Sequence, residues 1–477
     1  MSRFAIVLCI LLTLDLSAAE LANGPMIGYV TDSTAKIWAR TNAAVSVKVV
    51  FGTDERLKQP TTSAATTPSK DYDWTTVVEL SELRPRTRYF YNVLVKGKPA
   101  LEPPLPSFRT LPALDSKTRV RVTFGGGIRF QVDPEQTLWN DIAAREPDVM
   151  LLMGDNTYPD NYIKNEALLK RDLGGNEQLL MKKENGWRGR SGFLFHRVYY
   201  RIQQSVPNYQ RFIARHPIYA VWDDHDAYHD GQGGASKPIE LRQESIQTFR
   251  ENFALPYYGN DDAPGTWCHF TVPGAEFFLL DARTYRTRGG GKEARFLGEA
   301  EERWLKDHLL ASRAPFKFIV CGSPWNNQPK TGAKVLTDEN YYDATGDTLA
   351  SFKFHRDRLL NFIIHRRIPG VILLSGDRHR ADIVKVWPRN RPDQIFWDFN
   401  NCNISSRTQR SVGEPGDNGL VFSFSGRCFG LLDIDTTTDP PTVTHEIWGK
   451  SSRSKPAEMK YRMQLKSTAF LPDVVQP

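Results

Sequence analysis

Three short stretches carry side chains able to hold metal ions: Gly154-Asp155-Asn156-Thr157-Tyr158, Asp223-Asp224-His225-Asp226 and Gly376-Asp377-Arg378-His379. Carboxylate, phenolate and imidazole suit Ca²⁺, Mg²⁺, Mn²⁺ or Fe³⁺, whereas thiolate sites favour softer ions. Three carboxylates around one imidazole, as at 223–226, repel each other unless a cation or several donors offset them. Two ions roughly 3.5–4 Å apart can hold a phosphoryl oxygen, activate a water and offset developing charge. Each stretch alone has a plain alternative. Gly-Asp after a strand is often just a turn, Asp is a good helix N-cap, and a histidine in such a cap can be structural. Their concurrence in one chain, each where an apolar run stops, favours a metal site.

The elements that must position them follow from the pattern. Val149–Met153, Ile218–Trp222 and Gly370–Leu374 read as buried strands, each ending at one of the three stretches. Val120–Phe124, a helix over Glu135–Arg145 and then Val149–Met153 give a βαβ order, and open sheets of that kind gather ligands beyond the carboxyl ends of their strands. Phe193–Ala214, Glu240–Phe253, Glu299–Ala311 and Phe352–His365 read as helices, and Gly231–Lys237 as flexible. Trp267–Val272 pairs with Glu276–Leu280, Phe316–Val320 is another buried strand, and strand pairs follow around 396–399, 419–424, 429–435 and 442–448. The region as a whole is of α/β class. Residues 24–110 instead read as all-β, with regularly spaced turn signals. Leu83 and Tyr89 flank a Pro-containing turn, as at the corner of an immunoglobulin-like sandwich. The five prolines of Pro99–Pro112 read as a linker, and Lys450–Pro477 as a loosely packed tail.

Bulk properties set the class. The 477 residues are 40% apolar and 25% charged, as in an ordinary soluble globular protein. A net charge of +7, spread along the chain, marks no nucleic-acid footprint and suits an anionic substrate. Arg3, the apolar Phe4–Leu14 and Ser17-Ala18-Ala19 before Glu20 make a secretory signal peptide, cleaved near Ala19. It is too short to span a membrane, so a secreted or periplasmic monomer is expected, with no transmembrane segment. Cleavage leaves Cys268, Cys321, Cys402 and Cys428, which allow three pairings; Cys402 with Cys428 is the one to test first. Asn403-Ile404-Ser405 matches a glycosylation acceptor, a common chance match.

With Leu280-Asp281-Ala282-Arg283-Thr284-Tyr285-Arg286 and the β-rich segment before them, these motifs resemble the alkaline phosphatase D (PhoD-like) family of calcineurin-type metallophosphoesterases, from about Ala22 to Trp448. The resemblance implies a four-layer α/β sandwich over 118–450, a fibronectin- or immunoglobulin-like domain over 20–112 and a tail over 451–477. It implies a phosphate-ester substrate, mono- or diester, and Fe³⁺ and Ca²⁺ as cofactors. Carried over by position, Asp155 is the bridging ligand, Tyr158 a phenolate ligand, and Asp224, Asp377 and His379 further metal ligands. His225 is the catalytic histidine, oriented by Asp223 and Asp226. Arg378 and Arg380 are candidate phosphate clamps.

One departure stands out. The family carries a Ser-Cys pair after the first strand whose thiolate binds iron; here Gly126-Gly127 stand there, so a water, Asp133 or a different metal must fill the gap. The expected function is a secreted phosphoesterase using a metal-activated water. The alternative is a degraded phosphoesterase scaffold that binds a cell-surface polymer.

Overall fold

The computed structural model describes residues 19–467 except 168, 170–179, 185, 190–193, 229–230, 261–262, 288–290, 327–347 and 411–413. Apart from Ala19, the expected signal peptide lies outside the described residues.

Period-two alternation, with both faces apolar, builds the centre of the molecule. In Phe316–Cys321, Phe316, Phe318 and Val320 enter one core, while Ile319 and Cys321 enter another. Val371–Ser375 does the same with Ile372 and Leu374 against Val371 and Leu373. A strand that buries both faces lies inside a covered sheet. These two belong to a seven-stranded sheet whose central strands, from Ala275–Leu279 through Phe396–Asn401, run parallel. One face packs on the helices Glu299–Ala311 and Lys353–His365. The other meets a six-stranded sheet in which Arg119–Gly125, Val149–Met153 and Ile218–Val221 are parallel. Leu138–Ala143 and Pro207–Ile213 cover the outer face of that sheet. Helix, sheet, sheet, helix is the four-layer order that the sequence leads one to expect. Its consequence is positional: the carboxyl ends of both parallel sets open at the same rim.

Several local expectations change. The run 193–214 is two helices, His196–Gln204 and Pro207–Ile213, because Pro207 cannot continue a helix but starts one well. The glycine-rich segment at 231–237 is tied down, Gly234 and Ala235 donating to the carbonyls of Arg283 and Arg286. The tail is not loose through its length: Glu458–Lys466 is the edge strand of the six-stranded sheet, paired with Thr442–Lys450. The proline-rich stretch is not a linker either. Its Ser107–Arg109 pairs with Arg88–Val95.

Residues 21–109 form two antiparallel sheets around a separate apolar cluster of Ile27, Ile37, Val49, Tyr91 and Phe108 among others. The hydroxyl of Tyr89 accepts from the backbone N–H of Arg84 at 2.9 Å, closing the corner around Pro85. This unit is joined firmly to the rest. Met26 and Trp38 enter the main core, Trp38 donates its indole N–H to the carbonyl of Glu251 at 2.7 Å, and Tyr91 reaches the carbonyl of Ala214 at 2.8 Å. At the seam, the buried Asp73 takes guanidinium bonds from both Arg40 and Arg201. Removing that carboxylate strands two buried cations, a loss of about 3–5 kcal/mol. Asp73→Ala is therefore expected to lower the denaturant midpoint with the slope unchanged; an unaltered midpoint would show that the pair adds nothing to stability.

Candidate metal centre

Each candidate ligand hangs from a strand end. Val149–Met153 stops at Gly154, and Asp155 follows with φ 53°. Val371–Ser375 stops at Gly376, and Asp377 and His379 follow with φ 68° and 48°. Such left-handed residues cost of order 1–3 kcal/mol each and persist only where their surroundings over-determine them. Crowding supplies that constraint. A Cβ on Gly154 would lie 2.6 Å from the Cβ of Asp223, and one on Gly376 would lie 2.3 Å from the carbonyl oxygen of Met153. The glycines let strand ends close on one another, within the six-stranded sheet at Gly154 and between the two sheets at Gly376, and the residues after them turn into the gap.

Three donors of different chemistry converge there. The Tyr158 hydroxyl lies 2.8 Å from Asp155 Oδ2 and 2.8 Å from His379 Nε2, and Nε2 lies 3.4 Å from Oδ2. Ligand atoms of Asp155, Asp224 and His225 lie within 4.8 Å of one another. Asp155 Oδ1 and Asp224 Oδ1 are buried without a hydrogen-bond partner. A carboxylate oxygen in that state is costly unless a cation meets it. Burial opposes charge on Asp155, yet the imidazoles of His225 and His379 hold its carboxyl below the usual range. Burial and Asp155 push the Tyr158 phenol well up. Burial disfavours charge on His225, but Asp224, Asp155 and the bond to Asp160 raise it well above the usual imidazole value. The donor set and its unpaired oxygens fit a metal ion.

The remaining acids at 223–226 are neutralised in other ways. Asp223 Oδ1 accepts from Arg283 Nε at 2.7 Å and from the Ser323 hydroxyl at 2.9 Å. The turn that presents Arg283 is held by Asp281, which accepts from the backbone N–H groups of Arg283 and Thr284. Asp226 accepts from Asn156 N, Tyr200 Oη and Asp223 N at 2.9–3.0 Å, and burial pushes its carboxyl up to about 7. Asp223 and Asp226 thus brace the strand ends; they are not the residues that orient His225. That partner is Asp160, whose Oδ2 lies 2.8 Å from His225 Nδ1. The cap reading of this stretch also holds, since Asp223 precedes the short helix Asp224–Ala227.

Other expected roles shift as well. Arg378 is buried and bonded to Asp377 at 2.9 Å, and Arg380 is buried with both Nε contacts on Asp382, at 2.8 and 3.0 Å. Neither guanidinium stands open to a substrate. The half-buried Arg129 does stand at the centre, 5.0 Å above the Tyr158 ring. Asp133, expected as a substitute for the missing ligand, pairs with Arg427. The four described cysteines are free thiols, so Cys402 and Cys428 are not bridged. Asn403 is fully buried and donates to the carbonyl of Gly426, which closes it to glycosylation. No described helix is long and apolar enough to cross a membrane.

A family model described as PhoD-like phosphatase matches residues 126–420. The chain belongs to the PhoD-like phosphatase family. A second model, for a domain of unknown function (DUF7800), matches residues 18–112. Alkaline phosphatase D of Bacillus subtilis (strain 168) is 23% identical over 368 residues, which span 71% of this chain and 59% of that relative's length. A solved structure of PhoD superposes with a TM-score of 0.75 at 18% identity, covering 96% of this chain and 92% of its own. Purple acid phosphatase PPD1 from yellow lupin (Lupinus luteus) seeds does so with a TM-score of 0.64 at 11% identity, covering 93% and 74%. These likenesses fix the metallophosphoesterase α/β fold.

Sequence reasoning left out Asp160 and Arg129. Asp160 lies five positions after Asp155 in the same loop, and Arg129 directly follows the strand-end glycines and Ile128, but neither carries a motif of its own. Protein purified without chelators should hold metal that Asp155→Ala and Asp224→Ala each lose by elemental analysis, with circular dichroism unchanged. Full retention by both variants would break the assignment.

Proposed function

We propose that this chain is an exported, metal-dependent phosphoesterase that hydrolyses phosphate mono- or diesters. The observation that carries the reading is the convergence of Asp155 Oδ2, Tyr158 Oη and His379 Nε2, with His225 beside them. The metals favoured are Fe³⁺ and Ca²⁺ or ions of similar ligand preference, held by Asp155, Tyr158, Asp224, Asp377 and His379. Once bound, they would supply Lewis acidity to the phosphoryl oxygens and a water of lowered pKa.

The chain's own residues do the rest. His225 donates a hydrogen bond from its Nδ1–H to Asp160 Oδ2, since a carboxylate only accepts. That bond leaves Nε2 as the ring nitrogen that would serve the leaving oxygen as proton donor. Arg129 replaces Arg378 as the guanidinium that takes phosphate oxygens, through a planar fork suited to them. Arg283 and Ser323 keep Asp223 fixed beneath, so the turn bearing Asp224 and His225 does not shift. In this reading residues 20–112 are an immunoglobulin- or fibronectin-like unit and the catalytic unit runs from about 118 to the end of the strand at Lys466.

The test uses a phosphate monoester and a phosphate diester of p-nitrophenol. Asp155→Ala and Asp377→Ala should each lose more than the roughly 10–100-fold that an outer-shell partner is worth. Asp160→Asn should lower kcat by about 10–100-fold while metal content stays at the wild-type level. Wild-type turnover in the two alanine variants would sink the proposal. A wild-type protein that holds no metal and cleaves neither ester would favour the polymer-binding scaffold instead.

A further inference from the structure

A cavity of about 190 Å³ opens where the N-terminal β unit meets the catalytic layers. Arg88 and Arg109 line it from the β unit; Glu146, Asp148, Arg215 and His216 line it from the layers. Drug-sized pockets run to roughly 300–1,000 Å³, so this one suits a compact ligand. Its place separates it from the metal centre. Asp148 directly precedes Val149–Met153, and His216 and Pro217 directly precede Ile218–Val221. The same strands deliver Asp155 and Asp224 from their opposite ends, about 17 Å away at the rise of a β-strand.

The charges around the cavity need a counter-ion. Arg88 and Arg109 stand directly opposite one another where Arg88–Val95 pairs with Ser107–Arg109. Like charges so placed destabilise a sheet. Arg88 donates to Ser107 Oγ at 3.4 Å, while the side chains of Arg109 and Arg215 have no hydrogen-bond or ion-pair partner among the described residues. The two acids do not cancel this excess. Glu146 is exposed, and Asp148 Oδ2 already accepts from the backbone N–H of Arg121 at 2.9 Å. Burial raises the Asp148 carboxyl, against the pull of Arg109, Arg86 and Arg121. His216 donates from Nδ1 to the Pro147 carbonyl at 3.3 Å, and burial lowers its imidazole to about 4, so the ring adds no charge at neutral pH. The walls are held in place from both sides. Tyr91 donates to the carbonyl of Ala214, next to Arg215, at 2.8 Å. Phe108, next to Arg109, packs on the rings of Tyr89 and Tyr91, with centroids 5.9 and 6.0 Å apart. Met150 N–H donates to the Pro217 carbonyl at 2.8 Å. Three distant parts of the chain thus bring guanidinium groups to one fixed opening.

We propose that this cavity is an anion site, separate from the metal centre, that takes phosphate or a small phosphate monoester through Arg88, Arg109 and Arg215. Guanidinium forks match phosphate oxygens in geometry as well as in charge. A phosphate or ester with a free O–H can also donate to Glu146, which an ion that only accepts cannot do. The ligand would touch both the β unit and the catalytic layers, so its binding stabilises the folded chain. The proposal stands independently of the metal-centre reading.

Calorimetric titration of the full chain tests it, in an Asp155→Ala background so that phosphate held at the metal centre does not mask the cavity. Inorganic phosphate and glycerol 3-phosphate are titrated separately; tighter binding of one tells whether the site serves the free ion or the ester. Saturable binding at one site per chain is expected, with a melting temperature that rises with ligand concentration. Adding Arg109→Gln or Arg215→Gln should weaken binding about tenfold, the worth of one charge-assisted hydrogen bond. Their melting temperature without ligand, equal to the parent's or raised where the repulsion between Arg88 and Arg109 is relieved, shows that they fold. Lys98→Gln removes the same charge from an exposed position outside the cavity and should leave the affinity at the parent value. Binding of neither ligand, affinity unchanged in both arginine variants, or an equal loss in Lys98→Gln overturns the proposal.

Discussion

Mutual repulsion among buried carboxylates is the constraint from which the centre of this protein follows. Asp155, Asp223, Asp224, Asp226 and Asp377 all lie buried at one rim of the two sheets. Charges of one sign brought together out of water must be paired, protonated or bridged by a cation. The fold uses each remedy at a different residue. Asp223 is paired with Arg283, Asp377 with Arg378, and Asp226 is surrounded by donors and drawn towards its protonated form. Asp155 and Asp224 keep an oxygen apiece without a hydrogen bond, that of Asp224 lying 3.9 Å from Arg283 Nη2. What is left unsatisfied after the structural remedies defines the place for an ion.

The same constraint accounts for the backbone. Bringing carboxylates from different strands together requires strand ends closer than side chains allow, hence glycine at 154 and 376. Turning the next residue into the gap requires left-handed backbone, hence the positive φ at Asp155, Asp377 and His379. The layers below hold that geometry rigid. Ser375 donates to Asp398 at 2.6 Å, and Asp398 also accepts from Trp325 N–H and the Asn326 amide. The N-terminal β unit adds to this stiffness through Asp73, Trp38 and Tyr91. It is a structural partner of the catalytic layers, sharing part of their core.

Charge also explains why the assignments of individual residues moved. Arginine beside aspartate in sequence looks like a phosphate clamp, but a guanidinium buried next to a carboxylate at the same strand end pairs with it first. Arg378 and Arg380 both follow that rule. Arg129, on a strand-end loop of the opposite sheet, reaches the centre half-exposed. Asp160 holds His225 because the loop from Asp155 passes over the imidazole, a closure that no spacing along the chain announces.

The sequence by itself determined the strands and the three motifs that meet at the rim, while the layer order came with the family resemblance. Those rest on short-range rules: period-two apolar runs such as Phe316–Val320, and glycine-aspartate pairs where the runs stop. It also determined that the first strand ends without a side chain to offer. Tertiary structure alone decided which charges pair, because partners such as Arg283 and Asp223 are 60 positions apart and meet only when two sheets close. It decided that Asp160 holds His225, that Pro99–Pro112 contributes a strand and that Glu458–Lys466 forms an edge. And it decided where Arg88, Arg109 and Arg215 meet. Antiparallel pairing sets the first two opposite one another, and the packing of the β unit on the catalytic layers brings the third to them, a juxtaposition that depends on how the two units close.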